Sequence, residues 1–524
     1  MQGSCSAPTR HELALVAALL GAVALALYLP HVFQTGFYTD DWELVAESHF
    51  SRDLVGGTID GLSQGYRPLG IVFFRILTAI AGTQPSHFAV YGLGLSAVEG
   101  TLLYALVRRA GLAQLPAACV GALMVLAPWI DATRLWMATY AESTAVCLVL
   151  AGMLAGLAAL QAAPGWPRRA RHALSLLLYL AGCLCFEGVI PLVAVAALLY
   201  AAVVPWRAAL RRWPLDLLVA VVGFAGNISG GSRRGTDFSP GHLLARIDEV
   251  ANASIGVLGR ALPLRTLADG PIGFVVVIVA VLGLGMLVGR RDSQIASVRR
   301  WTFTLLLGVA FAAAGLVALL PASSAFTPSW EGVDDRYSVA AAPGEVVALV
   351  AAAWLLGLGL AAIVGRDRVA TPIAVVLLAA MGIGLVSQER LSQSSWTLAS
   401  QEQHRILDVV ARAVGPAPPA GTSVATFRHA RTTPGNMPIF ETSWDLKGAL
   451  QLHYGDRSLR AHPVLPPIAC SPAGMVYPDT GGPADRSTVL PYGHLIAVDV
   501  HTGAAVHVPN QAACSRKLPS LLIP

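Results

Sequence analysis

Charge is scarce in this 524-residue chain: 13% of residues are Asp, Glu, Lys or Arg, 55% are hydrophobic, and the mean hydropathy is +0.61. That deficit excludes an ordinary soluble protein and points to an integral membrane protein. The formal charge of +5 forms no single basic face. Its arginines stand in short runs between apolar stretches, which argues against nucleic-acid binding and reads as a set of topology signals. Cysteine is sparse, at seven residues, and no His or Cys cluster demands a metal. Cys183-x-Cys185 reads as packing within a helix. The C-terminal part shows no tandem array of helical repeats.

Apolar segments recur near 11–30, 67–82, 86–107, 113–130, 139–161, 173–188, 190–204, 215–228, 272–289, 302–320, 344–364 and 370–386. They make eleven or twelve membrane helices, depending on how the short ones are counted. The first resembles a signal peptide, but Tyr28-Leu29-Pro30-His31 is a poor small-residue cleavage site, so it reads as a retained helix. Five basic groups are expected on the cytoplasmic side: Arg108/Arg109, Arg168/Arg169/Arg171, Arg207/Arg211/Arg212, Arg290/Arg291/Arg299/Arg300 and Arg366/Arg368. They share that side with the N-terminus only if 67–107 makes one net crossing, so 67–82 is expected to be partial or re-entrant. The loop holding Asp40 and Asp41, the Asp131–Glu142 connection, a long 229–271 loop, the 321–343 loop and everything after 386 then face outward together. The richness in Ala, Gly and Arg suggests a high-GC bacterium. The membrane is then the bacterial cytoplasmic one, and the Asn-x-Ser matches at Asn227 and Asn252 carry little weight.

Past about residue 387 the chain turns polar and rich in Pro and Gly, which divides it into a transmembrane domain, 1–386, and a soluble extracytoplasmic α/β domain, 387–524. Leu398, Ile406, Leu407, Val410 and Val414 recur at roughly helical spacing at its start. Further on, LIAVDV, HTG and AAVHV read as a hairpin turning at Gly503. Cys470 and Cys514 either form a disulfide, if the tail lies outside, or remain two thiols.

The chemistry is to be sought in the outer loops. In FYTDDW, Asp40 or Asp41 is suited to deprotonate an acceptor hydroxyl. Its neighbour would orient it or bind a divalent cation, Mg or Mn, through oxygen. The structural alternative is capping of the next short helix by Thr39 or Asp40. Arg67-Pro68 opens the following segment, where Pro is ordinary and Arg67 is also suited to snorkelling. Asp131 and Glu142 flank a helix start, and Asp131 suits an N-cap as well as a binding role. Glu187 lies in an apolar stretch, where an ionisable group marks either function or a paired buried site.

In order along the chain, the first helix, the Asp-Asp loop, YRPL, APWIDATRLWMATYAES, CLCFEGVIPL and VDDRYSVAAAPG resemble the C-type superfamily of integral-membrane glycosyltransferases. Within it they resemble the protein O-mannosyltransferase branch and its relatives with C-terminal tetratricopeptide repeats. The likeness covers about residues 11–390. Phe186 stands where that family often has Lys, Asp335 replaces the usual Glu before Arg336-Tyr337, and the tail carries no such repeats.

The resemblance implies transfer of a sugar from a polyprenyl-phosphate donor, on the non-cytoplasmic face, to a glycan, lipid or protein acceptor. It implies Asp40, with Asp41 second, as general base, and inversion through an oxocarbenium-like state. Arg67, Asp131, Glu142, Glu187, Asp335, Arg336 and Tyr337 would bind substrate, Arg336 being the favoured grip on phosphate. Arg233, Arg234, His242, Arg246, Arg260 and Arg265 in the 229–271 loop suit solvent or lipid headgroups as readily. Two rival classes remain. A polytopic transporter or lipid flippase places its acids at the midplane near broken helices and often shows an internal repeat. A non-catalytic assembly subunit of cell-envelope glycan synthesis tolerates loss of both aspartates.

Overall fold

The computed structural model describes residues 8–51, 67–228, 236–261, 292–323, 326–330, 332–478 and 487–522. Its longer helices are α1 (Arg10–Val32), α2 (Asp40–Phe50), α3 (Pro68–Ala81), α4 (Pro85–Arg109), α5 (Gln114–Val125), α6 (Tyr140–Leu160), α7 (Trp166–Cys185), α8 (Ile190–Val203), α9 (Trp206–Ile228), α10 (Pro240–Ala261), α11 (Asp292–Val317), α12 (Ala342–Val364), α13 (Ala370–Val414), α14 (Ser443–Tyr454) and α15 (Gln511–Leu522). Eleven of the twelve expected apolar segments are helical in whole or large part. The twelfth, 272–289, lies outside the described residues, as do Arg233, Arg234, Arg265, Arg290 and Arg291. Among the described residues, six helices are long and apolar enough to cross a membrane, namely α1, α4, α6, α11, α12 and α13; α3, α5 and α8 are shorter apolar helices. The protein is a multi-pass, mostly α-helical membrane protein with a small C-terminal α/β region.

Bonds between helix ends sort the connections into two sets. Arg108 at the end of α4 donates to Glu12 at the start of α1 (2.7 Å), Arg109 donates to Gln161 beyond α6 (2.9 Å), and Arg300 donates to the Gly111 carbonyl. At the other end, the Ala138 amide donates to Asp41 (2.8 Å), Arg67 meets Glu142 and Glu187, and the Ala132 amide donates to Asp335 (3.1 Å). α3 starts in this second set at Arg67, and Thr78 near its end meets Ser48 of α2 (2.7 Å). At 14 residues, or about 21 Å, it is shorter than the roughly 30 Å hydrocarbon layer.

Two expectations are corrected. The 229–271 stretch is not simply a long loop, because it carries α10, whose buried Arg246, Val250, Ser254, Val257 and Ala261 form one helical stripe. Its polar face keeps mean hydropathy low, so no apolar segment marks it in the sequence. Arg246 itself donates to Thr327 Oγ1 (3.1 Å) and the Phe326 carbonyl (2.8 Å), fastening a neighbouring loop. Within the expected 113–130 segment, α5 stops at Val125, ahead of Pro128, which lacks an amide and restrains the residue before it. The carbonyls released there fall to Arg134, which donates to those of Met124, Val125 (2.9 Å) and Ala127 (3.2 Å) and to the Tyr28 hydroxyl (2.8 Å). One guanidinium thus satisfies acceptors that lipid cannot.

The expected boundary at 386/387 falls inside α13, a continuous helix of 45 residues. Its buried face carries Trp396, Ala399, Gln403, Ile406, Leu407 and Val410, while Leu398, expected on that face, is exposed. Beyond it, strands β1 (Ser423–Phe427), β2 (Arg460–Pro463), β6 (Leu495–Asp499) and β7 (Ala505–His507) form a sheet of order β2-β1-β6-β7, with β1 parallel to both neighbours. β6 and β7 are antiparallel and are joined through Gly503 at φ 74°, as the hairpin pattern predicts. β3 (Ala469–Ser471), β4 (Gly474–Pro478) and β5 (Ser487–Leu490) form a second, antiparallel sheet. Period-two alternation gives the first sheet two apolar faces. Ala425, Phe427 and Ala497 pack toward the second sheet and α15, while Val424, Ala461 and Val498 pack with α14, α2 and α13. Of the two states left open for Cys470 and Cys514, the structure has the disulfide.

The α2–α14 crossing depends on Gly448, where any Cβ would run into the Trp42 carbonyl oxygen. Gly448→Val is expected to lower stability by about 1–3 kcal/mol and to speed hydrogen exchange across α14; unchanged exchange would contradict this docking. Asp499 accepts from Arg428 Nε (3.0 Å), the His501 amide (3.0 Å) and the Thr502 hydroxyl. Burial alone would raise this carboxyl, but Arg428, Thr502 and His501 outweigh it and hold the group at about 2, against an ordinary 3.8. The unfolded state therefore binds more protons between these values, so this stabilisation is present above about pH 4 and is lost as pH falls toward 2. Melts of Asp499→Asn should show a deficit of up to about 2 kcal/mol at neutral pH, lessened by solvent at Arg428 and shrinking at acid pH.

Candidate functional site

The two adjacent aspartates at the start of α2 have separate surroundings. Asp41 is buried, its Oδ2 accepting the Tyr38 amide (3.0 Å) and its Oδ1 the Ala138 amide (2.8 Å). Burial pushes its carboxyl well above the usual range, against the pull of those amides. Asp40 is exposed and accepts from the Trp444 indole of α14 (2.8 Å). Thr39, the residue before the helix, makes no side-chain cap bond and takes φ 37°. The acid that serves the helix start is Asp41, reaching back to Tyr38. The hexapeptide is fastened to α13 by Tyr38 Oη donating to the Trp396 carbonyl (3.0 Å) and by the Trp42 indole donating to Gln403 (3.1 Å).

Arg67, Glu142 and Glu187, expected as binding residues, come together. Arg67 Nε and Nη2 donate to both oxygens of Glu187 (2.7 and 2.8 Å), and Nη1 donates to Glu142 (3.1 Å). The Arg67 amide donates to Asn227 Oδ1 (3.2 Å), and the guanidinium lies 4.7 Å from the centre of the Phe186 ring. The aromatic residue that stands in place of a lysine therefore meets a cation supplied from α3.

Arg336 joins the same neighbourhood, with Glu142 and Arg67 among the charges acting on it. Its guanidinium stacks over Trp136 (4.8 Å) and Tyr337 (5.0 Å) and donates to Tyr337 Oη (3.1 Å). Among the described residues, its Nε and Glu142 Oε2 are buried without hydrogen-bond partners. Two glutamates already pair with Arg67, while Arg336 keeps a buried Nε with donor capacity to spare among the described residues.

Asp131 and Asp335 also meet, but both are fully buried. Asp335 accepts the Ala132 amide (3.1 Å) and so caps the one-turn helix Ala132–Leu135, the structural role that Asp131 suited by sequence; Asp131 makes no cap bond. Burial and the neighbouring Asp131 push the Asp335 carboxyl well up. This geometry braces the 128–140 connection.

Several site residues escaped the sequence reading. Trp136 donates its indole N–H to the Tyr38 carbonyl (3.1 Å) and underlies Arg336, linking the Asp40 loop to the arginine. It stood within APWIDATRLWMATYAES, so the signal was available. Asn227, weighed only as part of an Asn-x-Ser match, uses its side chain on Arg67 and on the Cys183 carbonyl (2.8 Å). Trp444 and Glu441 arrive from the tail, where no local pattern marks them. Burial raises Glu441, and Asp334 and Asp40 add to that shift. Among the described residues, no three His, Cys, Asp or Glu side chains gather as a metal-holding group.

No protein-family model and no curated protein sequence matches this chain. Among solved structures, it is similar to the Archaeoglobus fulgidus oligosaccharyltransferase in complex with Zn and sulfate, with 12% identity and a TM-score of 0.40 over 84% of this chain and 61% of that one. The same enzyme tethered through a disulfide to an acceptor peptide containing the NVT sequon gives 12% identity and a TM-score of 0.41, over 86% and 64% respectively. The chain thus spans less than two thirds of that enzyme's length.

Removing the shared cation should expose its structural share. Arg67→Met is expected to destabilise the detergent-solubilised protein by about 3 kcal/mol by stranding two glutamates, and a second change, Glu187→Gln, should restore part of the loss. A thermal midpoint unmoved by Arg67→Met would mean that the cluster contributes no stability.

Proposed function

We propose that this protein is a membrane glycosyltransferase of the C-type architecture, moving a sugar from a polyprenyl-phosphate donor to a glycan, lipid or protein acceptor on the non-cytoplasmic face of a bacterial cytoplasmic membrane. The observation that carries this reading is that Trp136 joins the loop of the exposed carboxylate Asp40, through the Tyr38 carbonyl, to Arg336, whose buried Nε has no partner among the described residues. The order of the sequence motifs supplies the rest.

In this reading Asp40 takes the proton of an acceptor hydroxyl as that oxygen attacks the anomeric carbon. The bond from sugar to phosphate breaks, and the charge left on the phosphate falls to Arg336, with the Tyr337 hydroxyl beside it. A single displacement with one base inverts the anomeric centre. Asp41 is a positioning residue: buried between two amides, it is a poor base for a substrate arriving from solvent. Arg67, Glu142 and Glu187 fix the relative placement of α3, α6 and the 186–189 turn around the donor phosphate. The Cys470–Cys514 disulfide supports an oxidising, non-cytoplasmic compartment for the tail.

The test is transfer of radiolabelled sugar from a panel of polyprenyl-phosphate sugars to endogenous acceptors in membranes. Asp40→Asn should lower transfer about 10²–10⁴-fold with an unchanged thermal midpoint, while Asp41→Asn should lose about 1–3 kcal/mol of stability together with activity. If no donor supports transfer and both variants still complement a deletion strain, the enzyme reading is wrong.

A further inference from the structure

The tail holds a second polar site that the proposed chemistry does not use. A cleft of about 500 Å³ opens across the beginnings of β1, β2 and β6, with Ser423, Lys447, Arg457, Arg460, Tyr492 and His494 among its walls. No Asp or Glu lines it among the described residues. Arg457 and Arg460 are exposed, and neither side chain makes a hydrogen bond or ion pair among the described residues. The nearby Asp456 is engaged by the Ser458 amide (2.8 Å) and hydroxyl (3.0 Å).

The wall that carries the arginines is built. Gln451 Nε2 donates to the carbonyls of Arg457 (2.8 Å) and Leu459 (3.0 Å), and the Gly421 amide donates to Ser458 Oγ (2.8 Å). Both arginines line the cleft with their forked guanidinium donors unused among the described residues, the geometry that takes up a carboxylate or phosphate.

Helix α14 connects this cleft to Asp40. Trp444, Lys447 and Gln451 lie on one face at helical spacing. Trp444 bonds Asp40 (2.8 Å), Lys447 bonds Glu43 of α2 (2.8 Å) and lines the cleft, and Gln451 lines it further along. From Trp444 to Gln451 the rise is about 10 Å, the length of a short oligosaccharide. The cleft crosses strand beginnings and does not run along one strand edge, which is where sheets take up extended peptides. Tyr492 adds a ring that suits the apolar face of a pyranose.

We propose that this cleft binds an anionic glycan, one carrying carboxylate or phosphate groups, as the acceptor chain whose growing end reaches Asp40. The inference rests on the glycosyltransferase reading for the word acceptor, and on the cleft alone for the anionic glycan.

The test uses purified full-length protein and fluorescence anisotropy with labelled oligogalacturonate, phosphorylated dextran oligomer, neutral dextran oligomer and oligoglutamate. The expected result is binding of one or both charged glycans at least about tenfold tighter than neutral dextran, weakened about tenfold or more in Arg457→Gln/Arg460→Gln and unchanged in Asp40→Asn. Whichever charged glycan binds tighter identifies carboxylate or phosphate as the recognised group. Equal binding of charged and neutral glycans, or an unaffected double variant, overturns the proposal. Oligoglutamate binding as tightly as the glycans overturns it in favour of an acidic peptide. Charged-glycan binding without sugar transfer from any donor keeps the cleft and removes the enzyme reading; transfer that persists while no charged glycan binds does the reverse.

Discussion

The structure around the candidate site depends on the buried carboxyl of Asp41. It accepts one amide from its own turn, at Tyr38, and another from Ala138, 97 residues away. These contacts fix the loop between α1 and α2 against the 128–140 connection, and the neighbouring indole of Trp136 returns a bond to Tyr38. In a site with little water an amide left without an acceptor is expensive, so both segments hold this geometry firmly. With Asp41 committed inward, Asp40 is left exposed at the helix start, and Trp136 is left as a platform for Arg336. Two adjacent, chemically identical side chains thereby acquire different roles.

Backbone strain coincides with that arrangement. Among the described residues, four non-glycine residues take left-handed φ, and two of them, Thr39 at 37° and Arg67 at 49°, flank the two halves of the site. A β-branched residue in that region costs about 1–3 kcal/mol, a conformation kept only where its surroundings over-determine it. Thr39 is held between the Asp41 clasp and the Tyr38 and Trp42 bonds to α13. Among the described residues, Arg67 is held by four hydrogen bonds to three partners, its Nε and Nη2 on Glu187, its Nη1 on Glu142 and its amide on Asn227. Strain in both places marks positions where tertiary geometry outweighs local preference.

Much of the fold was legible because a membrane-spanning helix must be apolar along most of its length. The segments from 11–30 to 370–386 follow from that rule, and the hairpin at Gly503 follows from strand alternation. α10 was hidden because an amphipathic helix dilutes its apolar stripe with charge. The meeting of Arg67 with Glu142 and Glu187 was legible only in part: an acid in an apolar stretch demands a partner, but separations of 75 and 120 residues leave that partner unnamed. The opposite surroundings of Asp40 and Asp41 were not legible at all, since they arise from Ala138 and Trp444, on elements far away in sequence. Trp444 and the basic cleft belong to a tail whose parallel strands collect residues from three distant segments.

The continuity of α13 determines how that tail is carried. At 45 residues the helix is about 68 Å long, roughly twice the hydrocarbon thickness, so a single rigid element both enters the membrane domain and leaves it as a post. Trp396 and Gln403 on this post hold Tyr38 and Trp42, while Ile406, Leu407 and Val410 join the apolar cluster shared with Val424, Leu446 and Ala449 of the tail. The segment from α1 to α2 and the tail thus share one core, and α14 lies against α2 closely enough to require glycine at 448. A tail hung on a flexible linker would present Trp444 to Asp40 only part of the time. Here its distance from the carboxylate is set by the same packing that sets the height of Asp40 relative to the helices, so loosening the post would disturb both surfaces at once.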